Sequence, residues 1–231
     1  MLTLQYSVAT ESLDSVVLYY AIDCLRRQDS RSRMQSITLS KSEDIEAGLS
    51  MMKCMDRPVD SELRILFFTA TYFVLDGVTL TIRKIESHLR SKGAAVKILT
   101  TVPDDVTADQ TKDVIKVPGI KIPFDHAGDY AFGVGLDPET TRQIEDYNPT
   151  CVHFTVPDFV ALDGIRWCQL NNVAYIATWH SNYCEYLKYY FLEWVLGPAF
   201  HRYLKGFYEQ IPAVYVPTPN VRVHSKQLKI K

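Results

Sequence analysis

The sequence predicts a doubly wound α/β domain built on a mainly parallel sheet, preceded by a helical extension. Three observations predict it. Apolar runs of strand length recur at 64–69, 94–100, 151–155 and 173–178. Segments of helical period or with helix-start signals lie between most of them, the pattern of parallel strands joined by crossover helices. Residues 1–60 lack this texture and read instead as two short amphipathic helices on a polar tether.

In the extension, Leu13, Val16, Val17, Tyr20, Cys24 and Leu25 fall at helical spacing. Thr10 or Ser12 suits the N-cap, and Arg26 and Arg27 lie at the end of the dipole that favours cations. A polar stretch at 28–36 follows. Ser40-x-x-Glu43 has the form of a capping box, and Ile45, Leu49, Met52 and Met55 share one face behind it. Residues 1–60 are expected to form a helical, partly flexible and poorly ordered extension, with docking on the main domain or engagement of a partner as the alternatives.

The main domain is expected over 61–221, with a basic stub at 222–231. Its first strand, 64–69, leads to a helix whose apolar face is Val78, Ile82, Ile85 and Leu89, ended by Gly93 as a C′ residue. The second strand is 94–100, broken by the stretch Val102-Pro-Asp-Asp105. The segment 117–122 reads as a short third strand. Residues 123–136, with three glycines and a proline, read as an irregular loop. Asp137-Pro138 opens a helix with Asp as N-cap and Pro at N1, and that helix stops before Pro149. Strand 151–155 follows, then a helix capped by Asp158 that runs to about 171, then strand 173–178. A long aromatic helical region covers 184–208, with a break expected near Gly197-Pro198, and 213–216 is the last strand.

Bulk composition narrows the function. The chain has 231 residues, 47% of them hydrophobic and 23% charged, as ordinary globular proteins do. A net charge of −2 argues against non-specific nucleic-acid binding, which needs a basic surface. Five widely spaced cysteines, without a Cys-x-x-Cys pair or paired histidines at zinc-ligand spacing, suit free thiols in a reducing, cytoplasmic compartment and no metal site. The N-terminus lacks the layout of a signal peptide, and no apolar run approaches the roughly 20 residues of a membrane span. The chain is expected to be soluble.

The chemistry concentrates in two loops. Thr178-Trp-His-Ser-Asn182 is a polar turn directly after the apolar run 173–177, and Tyr72-Phe-Val-Leu-Asp-Gly77 follows the first strand. Open α/β sheets bind ligands outside the carboxyl ends of their strands, so two such loops define one cleft. A glycine at position 77, opening a helix, lets backbone N–H groups come close to a phosphate. Its bland alternative is a turn glycine. Asp76 could bind hydroxyls but would not itself attract a phosphate. His180 could donate a hydrogen bond or steady developing charge, or could be a satisfied structural histidine. Thr178, Ser181 and Asn182 suit hydroxyl binding and suit the turn equally. His153, inside an apolar strand, reads as structural, and Asp158 as a helix cap. No Gly-x-Gly-x-x-Gly follows the first strand, which argues against a dehydrogenase.

From Leu63 to about Val221 these residues resemble the N-terminal half of a family 4 glycosyltransferase of the GT-B type, a Rossmann-like domain. Four landmarks carry the resemblance. They are the strand, loop and helix start of 65–79, Asn148-Pro-Thr-Cys-Val-His153 leading to Pro157, Ile176-Ala-Thr-Trp-His-Ser181, and Val216-Pro-Thr218. The pattern is nearest to the sulfoquinovosyl- and mannosyl-transferase branch that makes glycolipids.

The resemblance implies a retaining, metal-independent transfer of a hexosyl group from a nucleotide-sugar donor to a lipid or sugar acceptor. The nucleotide-sugar is then a substrate, and no cofactor is needed. It implies that His180 meets the donor sugar as the catalytic residue, and that Asp76, Gly77, Thr178, Ser181 and Asn182 bind donor or acceptor. It also implies a C-terminal GT-B half bearing a Glu-x7-Glu signature, which these 231 residues do not contain, and allows peripheral membrane contact. On that basis the chain reads as an N-terminal half, inactive without its donor-binding partner. The alternative is a non-catalytic interaction module that keeps the half-fold, with residues 13–55 and the aromatic 183–208 region as its partner surface.

Overall fold

The structure, a computed structural model, describes residues 63–70, 72–121, 131–180 and 193–215. The extension at 1–60, the stub at 222–231, Ser181 and Asn182 lie outside the described residues. Eight strands appear in chain order: β1 (Arg64–Phe68), β2 (Ala95–Thr100), β3 (Val114–Lys116), β4 (Gly119–Lys121), β5 (Ala131–Gly133), β6 (Cys151–Phe154), β7 (Ala174–Thr178) and β8 (Val214–Tyr215). Four α-helices accompany them among the described residues: α1 (Gly77–Ser91), α2 (Pro138–Tyr147), α3 (Phe159–Asn171) and α4 (Glu193–Glu209).

Six strands form one sheet in the order β3-β2-β1-β6-β7-β8, and every pairing in it is parallel. This is the predicted doubly wound α/β architecture. The chain winds outward from β1 through β2 to β3, then returns to lay β6, β7 and β8 on the other side. The order therefore reverses between β1 and β6, and such a switch point opens a crevice above the carboxyl ends of the strands.

Side chains of successive strand residues point to opposite faces, and β1 is buried on both. Leu66 and Phe68 join the core under α3 and α4, with Phe154, Ile165, Leu204 and Phe207. Ile65 and Phe67 join the core under α1, with Ile82, Ile85 and Leu89. Phe68 and Phe154 meet edge-on at 4.9 Å between ring centroids. Gly164 on α3 sits where a Cβ would lie 2.5 Å from Phe68 Cε1 and 2.7 Å from Phe154 Cε1. Only glycine lets the helix come this close to the sheet.

Helix boundaries follow their local signals. Asp76, Asp137 and Asp158 are N-caps, each accepting a backbone N–H through Oδ1 at 2.7 Å, from Thr79, Thr140 and Ala161. Pro138 occupies the first turn of α2. The α1 helix gives way to Gly93 at φ +89°. The C-caps of α2 and α3 are Asn148 and Asn172, both left-handed, a conformation that asparagine tolerates better than most residues.

Three expectations are corrected. The third strand of the main sheet is Val114–Lys116 rather than 117–122, because Pro118 has no N–H for the ladder. The chain then leaves the sheet, and β4 pairs antiparallel with β5. The segment 123–136 is consequently not loop throughout. Finally, α4 continues through Pro198 instead of breaking there. A proline removes one helical hydrogen bond, but the buried face at Leu204, Phe207 and Tyr208 holds the helix on the sheet.

Candidate functional site

Each of the four central strands runs into a threonine: Thr69 after β1, Thr100 ending β2, Thr155 after β6 and Thr178 ending β7. All four are buried. The hydroxyls of Thr155, Thr178 and Thr101 are turned inward to join neighbouring strands. Thr155 Oγ1 donates to the Phe68 carbonyl at 2.9 Å, and Thr101 Oγ1 to the Ala70 carbonyl at 3.4 Å. Thr178 Oγ1 lies 2.7 Å from His153 Nε2. β-branched residues suit strands, and a buried hydroxyl must find a partner. The row therefore stiffens the edge on which the ligand loops stand.

On the α1 face of this edge, His153, Thr178 and His180 come together. His153 is fully buried, its ring 4.8 Å from that of Phe67. Burial holds its basicity well below the usual histidine range, and the nearby His180 lowers it further. His180 is partly exposed as a residue, but its Nε2 is sealed from solvent and has no hydrogen-bond partner among the described residues. Burial pushes its pKa down to about 4, against the opposing pull of the Asp76 carboxylate. His180 is therefore a neutral imidazole at pH 7, and the loop after β7 faces the start of α1.

The β1–α1 loop is held from behind. Tyr72 Oη donates to Glu86 Oε2 at 2.7 Å, and the Arg83 guanidinium donates to the Tyr72 carbonyl at 3.2 Å. Arg83 also lies 5.4 Å above the Tyr72 ring. Arg90 completes the set, bridging Glu86 at 2.9 Å and Asp113 at 3.1 Å. Each contact is modest, but together they tie the loop to the far side of α1. Gly77, the first residue of α1, has no positive φ and no described atom within 4 Å of where a Cβ would lie. Among the described residues, neither conformation nor packing demands glycine there.

On the opposite face, a shallow cleft holds about 230 Å³ of empty space including its open mouth. Phe68, Thr69, Thr101, Gly133, Asp158 and Val160 contribute to its walls. Burial raises the Asp158 carboxyl to about 6, although the N–H groups of Ala161, Asp158 and Val160 resist that rise. Tyr203 on α4 donates to the Pro157 carbonyl at 2.8 Å and closes this side. His180 and Asp76 do not line this cleft.

The structure thus brings His180, Asp76 and Gly77 to one place. Thr178 stands behind it, its hydroxyl engaged with His153. Asp158 is a helix cap and His153 a structural histidine. Sequence reasoning missed Tyr72, which carries no local signal beyond being aromatic. It also missed the threonine row, which is visible as a threonine directly after each apolar run. Among the described residues, no three of His, Cys, Asp and Glu gather as a metal site, and no helix is long and apolar enough to cross a membrane.

Comparison with known proteins agrees with the fold. The fold is similar to that of sucrose-phosphate synthase from Thermosynechococcus elongatus, at a TM-score of 0.54 and 14% identity, over 72% of this chain and 45% of that one. Alpha-monoglucosyldiacylglycerol synthase from Streptococcus pneumoniae is 28% identical over 171 residues, 73% of this chain. The chain spans only 38% of that synthase's length. Residues 75–231, well over half of the chain, match the family described as Glycosyltransferase Family 4. The chain belongs to glycosyltransferase family 4.

Proposed function

We propose that this chain forms the acceptor-side half of a retaining, metal-independent glycosyltransferase. It moves a hexosyl group from a nucleotide-sugar donor to a lipid or sugar acceptor. The relative named as a glucosyldiacylglycerol synthase supports a glycolipid product, and a lipid acceptor would bring the enzyme to a membrane surface. The other wall of the cleft belongs to a second Rossmann-like half that binds the nucleotide. In the reaction the sugar–phosphate bond breaks, the acceptor oxygen bonds to the anomeric carbon, and its proton passes to the departing phosphate.

One observation carries the proposal: a desolvated, neutral His180 beside Asp76 at the carboxyl edge of a family 4 domain. As the sugar–phosphate bond breaks, positive charge builds on the sugar ring. A neutral imidazole can hydrogen-bond a sugar hydroxyl there without opposing that charge, as an imidazolium would. Gly77 and Asp76 border the incoming group, while Thr178 acts through the turn, and Ser181 and Asn182 are proposed to bind hydroxyls. The remaining work is positioning two substrates.

The test joins the chain to the donor-binding half of a family relative and measures sugar transfer to a diacylglycerol acceptor. Transfer is expected in the joined protein, with a drop of roughly a hundredfold or more in His180→Ala. No transfer, or a rate unaffected by that substitution, overturns the proposal and leaves a non-catalytic interaction module.

A further inference from the structure

We propose that Tyr72 is a positioning residue for glycosyl transfer. Its hydroxyl, through Glu86, holds the β1–α1 loop, and with it the helix start at Asp76 and Gly77, in the arrangement that meets substrate. The inference rests on the function proposed above and gives that site a residue that acts through its neighbours.

Residues 72–76 lead into α1, and both ends of this stretch are fixed. At the far end Asp76 accepts the Thr79 N–H at 2.7 Å, and its own N–H donates to the Val74 carbonyl at 3.1 Å. At the near end Tyr72 is held at three points, all on α1. Its hydroxyl donates to Glu86 Oε2 at 2.7 Å, its carbonyl accepts from Arg83 at 3.2 Å, and its ring lies 5.4 Å from the same guanidinium. At 1.5 Å per residue, Arg83 and Glu86 stand about 9 and 14 Å along the helix axis from Gly77. The loop is therefore moored beside the second and third turns of α1, and only residues 73–75 join the two anchors. A shift of Tyr72 carries through that short span to Asp76.

Glu86 makes a firm anchor. Its side chain is 13% exposed, and both of its oxygens are engaged. Arg90 donates to Oε1 from Nε at 3.0 Å and sets a second guanidinium nitrogen 2.9 Å from it, which leaves Oε2 to Tyr72. A carboxylate largely out of water must keep its hydrogen bonds, and charge-assisted bonds are the strong ones. Arg90 is itself tied to β2, donating to the Val96 carbonyl at 2.7 Å. Burial, with the hydrogen bond to Glu86, raises the Tyr72 phenol above the usual tyrosine range, so it stays a donor.

Packing alone does not call for the hydroxyl. Phe73 meets the Tyr72 ring edge-on at 5.5 Å and Arg83 covers its face, contacts that a phenylalanine would keep. What a phenylalanine loses is the tether. A misplacement of about 1 Å in groups that position a substrate costs up to about a hundredfold in rate.

The test compares Tyr72→Phe with the native joined enzyme, well below the unfolding midpoint of each. There a purely structural loss leaves the rate per folded molecule unchanged. The kcat should fall by about tenfold or more, while KM for donor and acceptor moves much less. Glu86→Gln, which keeps an oxygen for the phenol, should retain most of the rate, and Glu86→Leu should lose it as Tyr72→Phe does. Adding Tyr72→Phe to Glu86→Leu should cost nothing further, because the two residues act as one unit. Asp113→Asn breaks the outer end of the network, the 3.1 Å bridge to Arg90, and should leave the rate unchanged. In the full chain, Tyr72→Phe should quicken hydrogen exchange at the amides of Asp76, Thr79 and Leu80 and leave that of Lys92, at the other end of α1, as it is.

An unchanged kcat in Tyr72→Phe overturns the positioning role, as do additive losses in the cycle or an equal loss in Asp113→Asn. Unaltered exchange at the three amides overturns it too, since the loop is then held without the hydroxyl. No transfer by the native joined enzyme overturns glycosyl transfer and the role of Tyr72 in it together, whereas transfer that survives Tyr72→Phe at full rate overturns that role alone.

Discussion

His153 and Thr178, 25 residues apart, share a 2.7 Å hydrogen bond between neighbouring strands, with both residues buried. His153 Nδ1 already lacks a partner among the described residues. Among the described residues, the threonine hydroxyl is therefore that buried ring's one hydrogen-bond partner.

Thr178→Val keeps the shape of the side chain and removes this bond, leaving an imidazole with no partner on either nitrogen. A buried polar group left unsatisfied costs about 1–3 kcal/mol. Urea unfolding should show a loss of that size for Thr178→Val and a much smaller one for Thr178→Ser, which restores the hydroxyl. Equal losses in the two variants would show that packing, not the hydrogen bond, matters at this position.

Stability should also fall on mild acidification because of His180. Its folded pKa, about 4, lies below the ordinary histidine value of 6.5 because burial disfavours the charged ring. Between those values the unfolded chain binds a proton that the native ring refuses. The contribution is complete above pH 6.5 and is lost progressively as the pH falls towards 4. Its size is on the order of 2 kcal/mol, and the buried His153 acts in the same direction. The direct check is an NMR titration of the His180 ring, which should stay neutral through pH 5. A midpoint near 6.5 contradicts a sealed ring.

Asp158 titrates with the opposite sign. Burial raises its folded pKa from 3.8 to about 6, so the native carboxyl holds a proton that the unfolded chain has released. That contribution is present below pH 4 and is lost as the pH rises through 6. Asp158→Asn keeps a good N-cap without the charge. It should stabilise the protein by about 1–2 kcal/mol more at pH 8 than at pH 4, as read from denaturant midpoints. A difference independent of pH would mean that the carboxylate is better solvated than its burial implies.

What the sequence disclosed was mostly local. Asp137-Pro138, Asp158 and Gly93 act on neighbouring backbone, and each stands where its chemistry predicts. The order of strands and helices was legible because apolar period is also local. Register was not. Val114–Lys116 takes the edge of the sheet because residues 98–100 pair with it, and within residues 114–122 only Pro118, which has no N–H for the ladder, speaks against pairing at 117–122. The site divides along the same line. His180 was visible as a histidine beyond a buried strand, whereas its proximity to Asp76 depends on two loops about a hundred residues apart in the chain. Asp76 read as a hydroxyl-binding carboxylate, while its spacing to Thr79 is that of an N-cap. The bond from Tyr72 to Glu86 spans one loop and two helical turns, beyond the reach of any short motif.

Gly77 offers the cleanest separation of folding from function. It opens α1 without a positive φ, and a Cβ there meets no described atom within 4 Å. Alanine is the better helix former, so Gly77→Ala should leave stability unchanged or raise it by a few tenths of a kcal/mol, roughly the surface range. If a substrate passes close to the backbone here, the added methyl group stands in its way. The joined enzyme should then keep its unfolding midpoint and lose about tenfold or more in kcat/KM. Unchanged transfer would place the substrate elsewhere and reduce Gly77 to a turn residue. A fall in both stability and transfer would mean that the loop packs more tightly than the space around Gly77 indicates.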